Sequence, residues 1–308
     1  MQGLAKGVLA PSTLHIFWDL YGLLSTKRIT LFIDEKAYPV SKYGIERLLV
    51  RSIPFFTFRH LDGNHLSEMI VQKIKKYTTP VVVTDGWCTL CGKPAPIRDY
   101  SRILNQYNGN LIIDDTQSFG ILGERKINSL YGIGGGGILK WLNIQDNKII
   151  TIVSLAKAFG VPMAVIGGSK AFITDFKNNS DTRVSSSPVS IVNLHAAENA
   201  LSINHTDGDR RRKKLLDNVL LLTEELKQSG ITLHGGIFPI QTITEKRYHA
   251  VIELFKGLQA RGVNTVLVNG HLNKIPALSL ITRSDHSLED IQYLSYLVRK
   301  ICLSKKIL

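Results

Sequence analysis

Short, nearly continuous apolar runs recur through the first two thirds of the chain: 29-ITLFID-34, 80-PVVVTD-85, 110-NLIIDD-115, 149-IITIVS-154 and 162-PMAVIG-167. Most close on an acidic or hydroxyl residue. Runs of this length without strict alternation are the pattern of strands covered on both faces, so they predict a mostly parallel sheet with helices between the strands. That is a doubly wound α/β domain, assigned to residues 1–208. In such sheets ligands lie beyond the carboxyl ends of the strands, which points Asp34, Asp85, Asp114, Asp115 and Ser154 toward one site.

Beyond it, apolar positions at helical spacing predict a long helix from about Asp209 to Gln228. Strands near 239-PIQTI-243, 264-NTVLV-268 and 277-ALSLIT-282 then alternate with helices near 246–262 and 287–303. This second unit, 209–308, reads as a small α+β domain. The glycine run 132-GIGGGG-137 follows no strand closely and opens no amphipathic helix, so it reads as a flexible surface loop rather than a nucleotide fingerprint.

Composition changes this picture little, except in charge. The net charge is +13, and part of it lies in Arg210, Arg211, Arg212, Lys213 and Lys214. An acidic or phosphorylated partner is one account; a solvated helix face is the other, and the apolar positions that follow at helical spacing favour it. The run interleaves no aromatics, so no nucleic-acid partner is expected. No apolar stretch approaches the roughly 20 residues that span a bilayer. Three cysteines make no disulfide framework and no second ligand pair for a zinc site, which is consistent with a cytoplasmic protein without a metal.

The stretch 87-WCTLCGK-93 has the look of a thiol-disulfide active site. Reactive thiols of that class usually open a helix, and Pro94 and Pro96 prevent helical turns directly after Cys91. Redox chemistry is therefore not the expectation.

Chemistry concentrates in two segments. In 110-NLIIDDTQSFGILG-123 a strand ends in a carboxylate pair; in 149-IITIVSLAKAFGVP-162 another ends in Ser-x-x-Lys before a glycine turn. Flanked by Leu155, Ala156, Ala158 and Phe159, Lys157 is expected to be desolvated, which favours the neutral amine that condenses with an aldehyde. A carboxylate on a neighbouring strand end could hold a protonated ring nitrogen. Amine and carboxylate together are what a pyridoxal 5'-phosphate enzyme requires.

On these two segments the chain resembles the α-oxoamine synthase branch of the fold-type I pyridoxal phosphate enzymes, with the resemblance running from about Gly7 to the C-terminus. It implies a homodimer that joins an amino acid to an acyl thioester, carried by coenzyme A or an acyl carrier protein, with decarboxylation. Lys157 matches the Schiff-base lysine, Ser154 a phosphate contact, and Asp114 the partner of the pyridine nitrogen. The stretch 83-VTDGWCTLCGKPAPI-97 matches a family loop near the cofactor, placing Asp85 and Thr89 there and making Cys88 and Cys91 incidental.

Ser12 and Thr13 start a helix, a ready anion site, where the family cradles the phosphate. Tyr38 falls where the family stacks a His on the ring, and is equally an ordinary aromatic at a helix start. Ser186 matches a hydroxyl that reaches the partner's phosphate.

The pattern also departs. Gln117 replaces a His, and 276-PALSLIT-282 lacks the arginines that hold a substrate carboxylate, leaving only Arg283 nearby. The chain begins where family members have already run for a substantial N-terminal segment. An aminotransferase using the same machinery, and a non-catalytic subunit of a heterodimer, are the alternatives; retention of Lys157 and Asp114 argues against the latter.

Overall fold

The computed structural model describes residues 1–127, 129–244, 247–268 and 276–305. The chain divides into two compact units, Met1–Trp87 with Pro94–Thr206, and Cys88–Lys93 with Asp207–Leu308.

The first unit is built on a seven-stranded sheet. Its order is Lys6–Ala10, Ala164–Gly168, Ile149–Ser154, Asn110–Asp114, Thr79–Asp85, Ile29–Asp34, Phe55–Phe58. The pairings from Ile149–Ser154 to Phe55–Phe58 are parallel, whereas Lys6–Ala10 and Ala164–Gly168 run antiparallel to their neighbours. The five apolar runs are strands. Ile29–Asp34 is buried at every position, which is why its sequence shows no alternation. Helix Thr13–Leu24 covers one face with Ile16, Phe17, Leu20 and Leu23, packed against Leu31, Ile33, Val83 and Ile152. Lys6–Ala10 and Phe55–Phe58 were not evident from the sequence because each is short and borders the sheet.

Two expectations are corrected. The helix expected from Asp209 starts at Ile191 and runs unbroken to Lys227. The glycine run is not a surface loop: Ser129–Ile133 is a strand paired with Glu124–Lys126, and Gly135, Gly136 and Gly137 are buried. Gly120 and Gly137 N–H groups donate across the loop to the carbonyls of Gly135 and Leu122, at 2.8 and 2.7 Å. A Cβ on Gly123 would collide with the Ile133 carbonyl. The glycines are there because two backbone segments touch.

The second unit has a three-stranded antiparallel sheet with Ala277–Ile281 between Ile240–Ile243 and Val266–Val268. Helices Tyr248–Gln259 and Leu288–Lys305 supply Val251, Leu254, Leu258, Ile291, Leu297 and Val298 to its core, joined by Leu222 and Leu226 of the long helix. The expected start of the first helix at 246 lies outside the described residues. The basic run is partly offset on the long helix: Arg210 and Arg211 share Asp207, Arg212 pairs with Asp209 and Lys213 with Asp217. Arg212 departs from a solvated face, since it is buried. No described helix is long and apolar enough to cross a membrane.

Candidate functional site

Parallel register brings the strand ends together. Asp114 lies opposite Asp85 on one side and Ile152 on the other. Its carboxylate is buried and accepts the Thr116 N–H at 3.0 Å. Burial raises the Asp114 pKa; hydrogen bonds from Thr116 and the positive charge of Lys157 oppose the rise. Thr116 Oγ1 in turn accepts the Ser154 N–H at 2.9 Å, tying the two strand ends together.

After Ser154 the chain turns tightly. The Leu155 amide reaches the Met163 carbonyl, Val161 reaches Leu155, and Gly160, at φ +67°, reaches Lys157. A Cβ on Gly120 would lie 2.5 Å from that of Ala158, and the rings of Phe119 and Phe159 stand 5.3 Å apart. Gly120 therefore lets the loop after the carboxylate pair lie against the lysine turn. The expected desolvation of Lys157 does not hold: Leu155 is buried, but Ala156, Lys157 and Ala158 are exposed. The reason is the turn itself, which carries the three consecutive residues after Leu155 away from the core.

Beside this cluster, Tyr38 N–H donates to both oxygens of Asp85 at 3.1 Å. The Tyr38 ring is half-exposed at the start of the 3-10 turn Pro39–Lys42. Two carboxylates expected at the site are used elsewhere. Asp34 accepts the Leu61 N–H at 3.1 Å and pairs with His60 Nδ1 at 2.8 Å. Asp115 takes Ser118 Oγ–H, the Ile138 N–H at 3.2 Å and Gln2 Nε2 at 3.4 Å. A Cβ on Gly137 would collide with its Oδ2. Burial pushes the Asp115 carboxyl up to about 7, against the hydrogen bonds from Ser118, Ile138 and Gln2, with Asp114 adding a smaller push. Consecutive residues at a strand end face opposite sides, so only Asp114 of the pair joins the Lys157 cluster.

The remaining expected residues have their own surroundings. Ser12 caps helix Thr13–Leu24, its Oγ 2.8 Å from His15 Nδ1 and 3.4 Å from the His15 amide it accepts; Thr13 is half-buried at the first position. Gln117 is half-buried after the carboxylate pair. Ser186 ends helix Asp181–Ser185, is exposed, and donates to the Thr182 carbonyl at 2.5 Å. Buried Asp19 anchors that helix by accepting Thr182 N–H at 2.9 Å and Oγ1–H at 2.6 Å. Thr89 belongs to the second unit, as does Arg283, whose guanidinium is engaged by Asp285. The sequence reading missed Thr116 and Asp19. Thr116 was discoverable as the hydroxyl directly following the carboxylate pair, and Asp19 had no signal.

A family model confirms the architecture these strand ends define. The aminotransferase class I and II model matches residues 42–294, and the chain belongs to that family. Within it, the chain is similar to 8-amino-7-oxononanoate synthase of Thermosipho melanesiensis, 29% identical over 61% of this chain and 45% of the relative. It is also similar to 8-amino-7-oxononanoate synthase 2 of Bacillus subtilis, 25% identical over 77% and 58% respectively. The chain thus spans about half the length of the curated relatives it matches. Its fold is that of Sphingomonas wittichii serine palmitoyltransferase, with a TM-score of 0.86 at 14% identity, covering 100% of this chain and 74% of that one.

Proposed function

We propose that the chain is a pyridoxal 5'-phosphate-dependent transferase of the α-oxoamine synthase type, joining an amino acid to an acyl thioester with loss of carbon dioxide. The observation that carries this reading is the buried Asp114 carboxylate within the electrostatic reach of Lys157, on neighbouring strand ends. The donor set fits the cofactor. A desolvated carboxylate whose pKa is raised gains from a cationic partner, which a protonated pyridine nitrogen is, and a primary amine stands beside it to condense with the aldehyde.

Bound there, pyridoxal phosphate supplies an electron sink for the pair left behind when the amino acid loses its carboxylate. Asp114 would keep the proton on the ring nitrogen. Lys157 Nζ would anchor the aldehyde carbon and then move a proton at the substrate Cα. Thr116 holds Asp114 and Ser154 in register, and the Gln117 amide is of the type that donates to a phenolic oxygen but takes no proton. Tyr38, positioned by Asp85, offers an aromatic face. Ser154, Ser12 and Thr13 are hydroxyl donors for a phosphate, and Thr89 belongs to the loop that completes the family's site.

The same resemblance supports a homodimer, with Ser186 reaching the partner's phosphate. Ser186 is exposed, and so are the nearby residues in the chain Val184, Ile191 and Val192, at 86%, 65% and 71%. Exposed apolar side chains of this kind are what a second copy would cover. The reading takes 1–208 as the cofactor-binding domain and 209–308 as the small domain, in a cytoplasmic enzyme.

The absorption spectrum of the purified chain with added pyridoxal phosphate tests it. A visible band abolished in Lys157→Ala is expected; a colourless protein overturns the reading. Amino acids supplied with and without acyl-coenzyme A then separate condensation from transamination by product.

A further inference from the structure

The second unit includes the hexapeptide Cys88–Lys93, whose two cysteines the proposed reaction does not use. The segment forms one closed turn. Gly92 N–H donates to the Cys88 carbonyl at 2.9 Å, and Cys91 N–H donates to Cys88 Sγ at 3.3 Å. The two sulfurs lie within 4.8 Å of each other. Gly92 has φ +67°, and a Cβ on it would collide with the backbone of Gly235, so the turn is braced from outside as well as by its own hydrogen bonds. Cys88 is buried and Cys91 half-buried.

No helix starts after Cys91, since the next begins at Ile97, so a helix dipole plays no part. The local cause of reactivity is the second thiol. Cys91 falls to about 7, chiefly through the hydrogen bond from Cys88, with smaller contributions from the backbone and charge of Lys93 and with burial opposing. One sulfur is thus prepared as a nucleophile, while the other is buried at its side as a resolving thiol.

From the closed turn and the paired sulfurs we infer that Cys88 and Cys91 are a two-electron oxidation site, which reacts with hydroperoxides to give a reversible intrachain disulfide. The Cys91 thiolate attacks the terminal peroxide oxygen, the O–O bond breaks, and the departing alkoxide or hydroxide takes up a proton to leave as alcohol or water. Cys91 is then a sulfenic acid. Cys88 attacks its sulfur, the S–O bond breaks, and a water leaves with the Cys88 thiol proton. Two thiols are oxidised by two electrons and one hydroperoxide is reduced. A thiol gives back the dithiol by exchange.

The sequence provides a convenient readout, because Lys93 precedes Pro94 and resists trypsin, leaving both cysteines in the fragment Tyr77–Arg98. The full chain is treated with hydrogen peroxide, the remaining thiols are alkylated, and this fragment is weighed. The expected product lacks both alkyl groups, is two hydrogens lighter than the dithiol, and returns to the alkylatable form after dithiothreitol. At pH 7 about half of Cys91 is thiolate, against about three in a hundred for an ordinary thiol; with its lower intrinsic nucleophilicity, oxidation about threefold faster than an ordinary exposed thiol is expected.

Cys302, buried in the core of the same unit, is the internal control and should stay alkylatable once the folded protein is opened in denaturant after quenching. In Cys88→Ser, Cys91 should instead be trapped by dimedone as the sulfenic acid. Retention of both alkyl groups on Tyr77–Arg98 after peroxide treatment overturns the inference. So do disulfides that form mainly between chains, or dimedone labelling of Cys91 in Cys88→Ser no faster than that of Cys302.

Discussion

The Thr116 hydroxyl couples Asp114 to Ser154: it accepts the Ser154 backbone N–H at 2.9 Å while hydrogen-bonding the Asp114 carboxylate. The two strand ends that carry the candidate carboxylate and lysine are thereby held by a single side chain. Thr116→Ala removes the acceptor and leaves a polar group unpaired at the junction, a loss of about 1–3 kcal/mol. A lower urea midpoint is expected, with weaker uptake of pyridoxal phosphate followed by absorbance. Thr116→Ser keeps the hydroxyl and should restore both; failure of serine to rescue would show that the methyl group, not the bond, matters.

Glycine is required at 137 and merely convenient at 134. A Cβ on Gly137 meets the Asp115 carboxylate, at φ +86°, while Gly134, at φ +80°, has nothing within 4 Å of its would-be Cβ. Gly134→Ala should cost about 1–2 kcal/mol from left-handed backbone strain alone. Gly137→Ala adds displacement of a buried carboxylate and should cost more than about 4 kcal/mol, enough to be diagnostic. Paired denaturation curves measure the difference, and equal midpoints would contradict the packing described.

Asp115 gives stability a pH dependence of definite sign. Its folded-state pKa is raised to about 7 from 3.8, so the folded protein binds this proton more tightly than the unfolded chain. The stabilisation is fully present below the unfolded pKa and is lost as pH rises through about 4 to 7, at a limit of about 1.4 kcal/mol per pH unit. Asp115→Asn keeps the shape and removes the titration, so the fall in urea midpoint between pH 5 and 7 should flatten. An unchanged slope would assign the dependence to another group.

Asp19 and Thr182 give a fourth expectation. Thr182→Val deletes the hydroxyl donor at 2.6 Å and leaves the buried carboxylate with the Thr182 amide, costing about 1–3 kcal/mol. Because Asp181–Ser185 is a short, exposed helix, the loss should show as faster tryptic cleavage at Arg183. Thr182→Ser should reverse it.

What could be read from sequence followed from what the chain repeats. Four apolar runs closing on polar residues located parallel strands and, through them, Asp85, Asp114 and Ser154, and a fifth located the antiparallel strand Ala164–Gly168. Ser12 was legible as a cap because a hydroxyl stood before a helical pattern. Features that depend on contact between distant segments were not. The glycine run looked loose because a backbone packed against another backbone leaves no side-chain signature. Lys157 looked buried because its neighbours are apolar, yet the turn leaves it exposed together with Ala156 and Ala158. The long helix was cut short in the reading because 191–208 carries Asn193, Asn199, Asn204, Thr206 and Gly208, weak helix formers that hide the period. Asp34 and Asp115 could not be told from Asp114 by their position after a strand; only their partners distinguish them.

The second unit joins the C-terminal part of the chain to a hexapeptide set within the sequence of the first, and this has a consequence for how the chain is made. Cys88–Lys93 emerges from the ribosome more than a hundred residues ahead of Asp207, and further still ahead of Gly235, on whose backbone Gly92 rests. That hexapeptide has to wait, without the contact that braces it, until the C-terminal part has been synthesised, so the nascent chain carries its two thiols unshielded for longest.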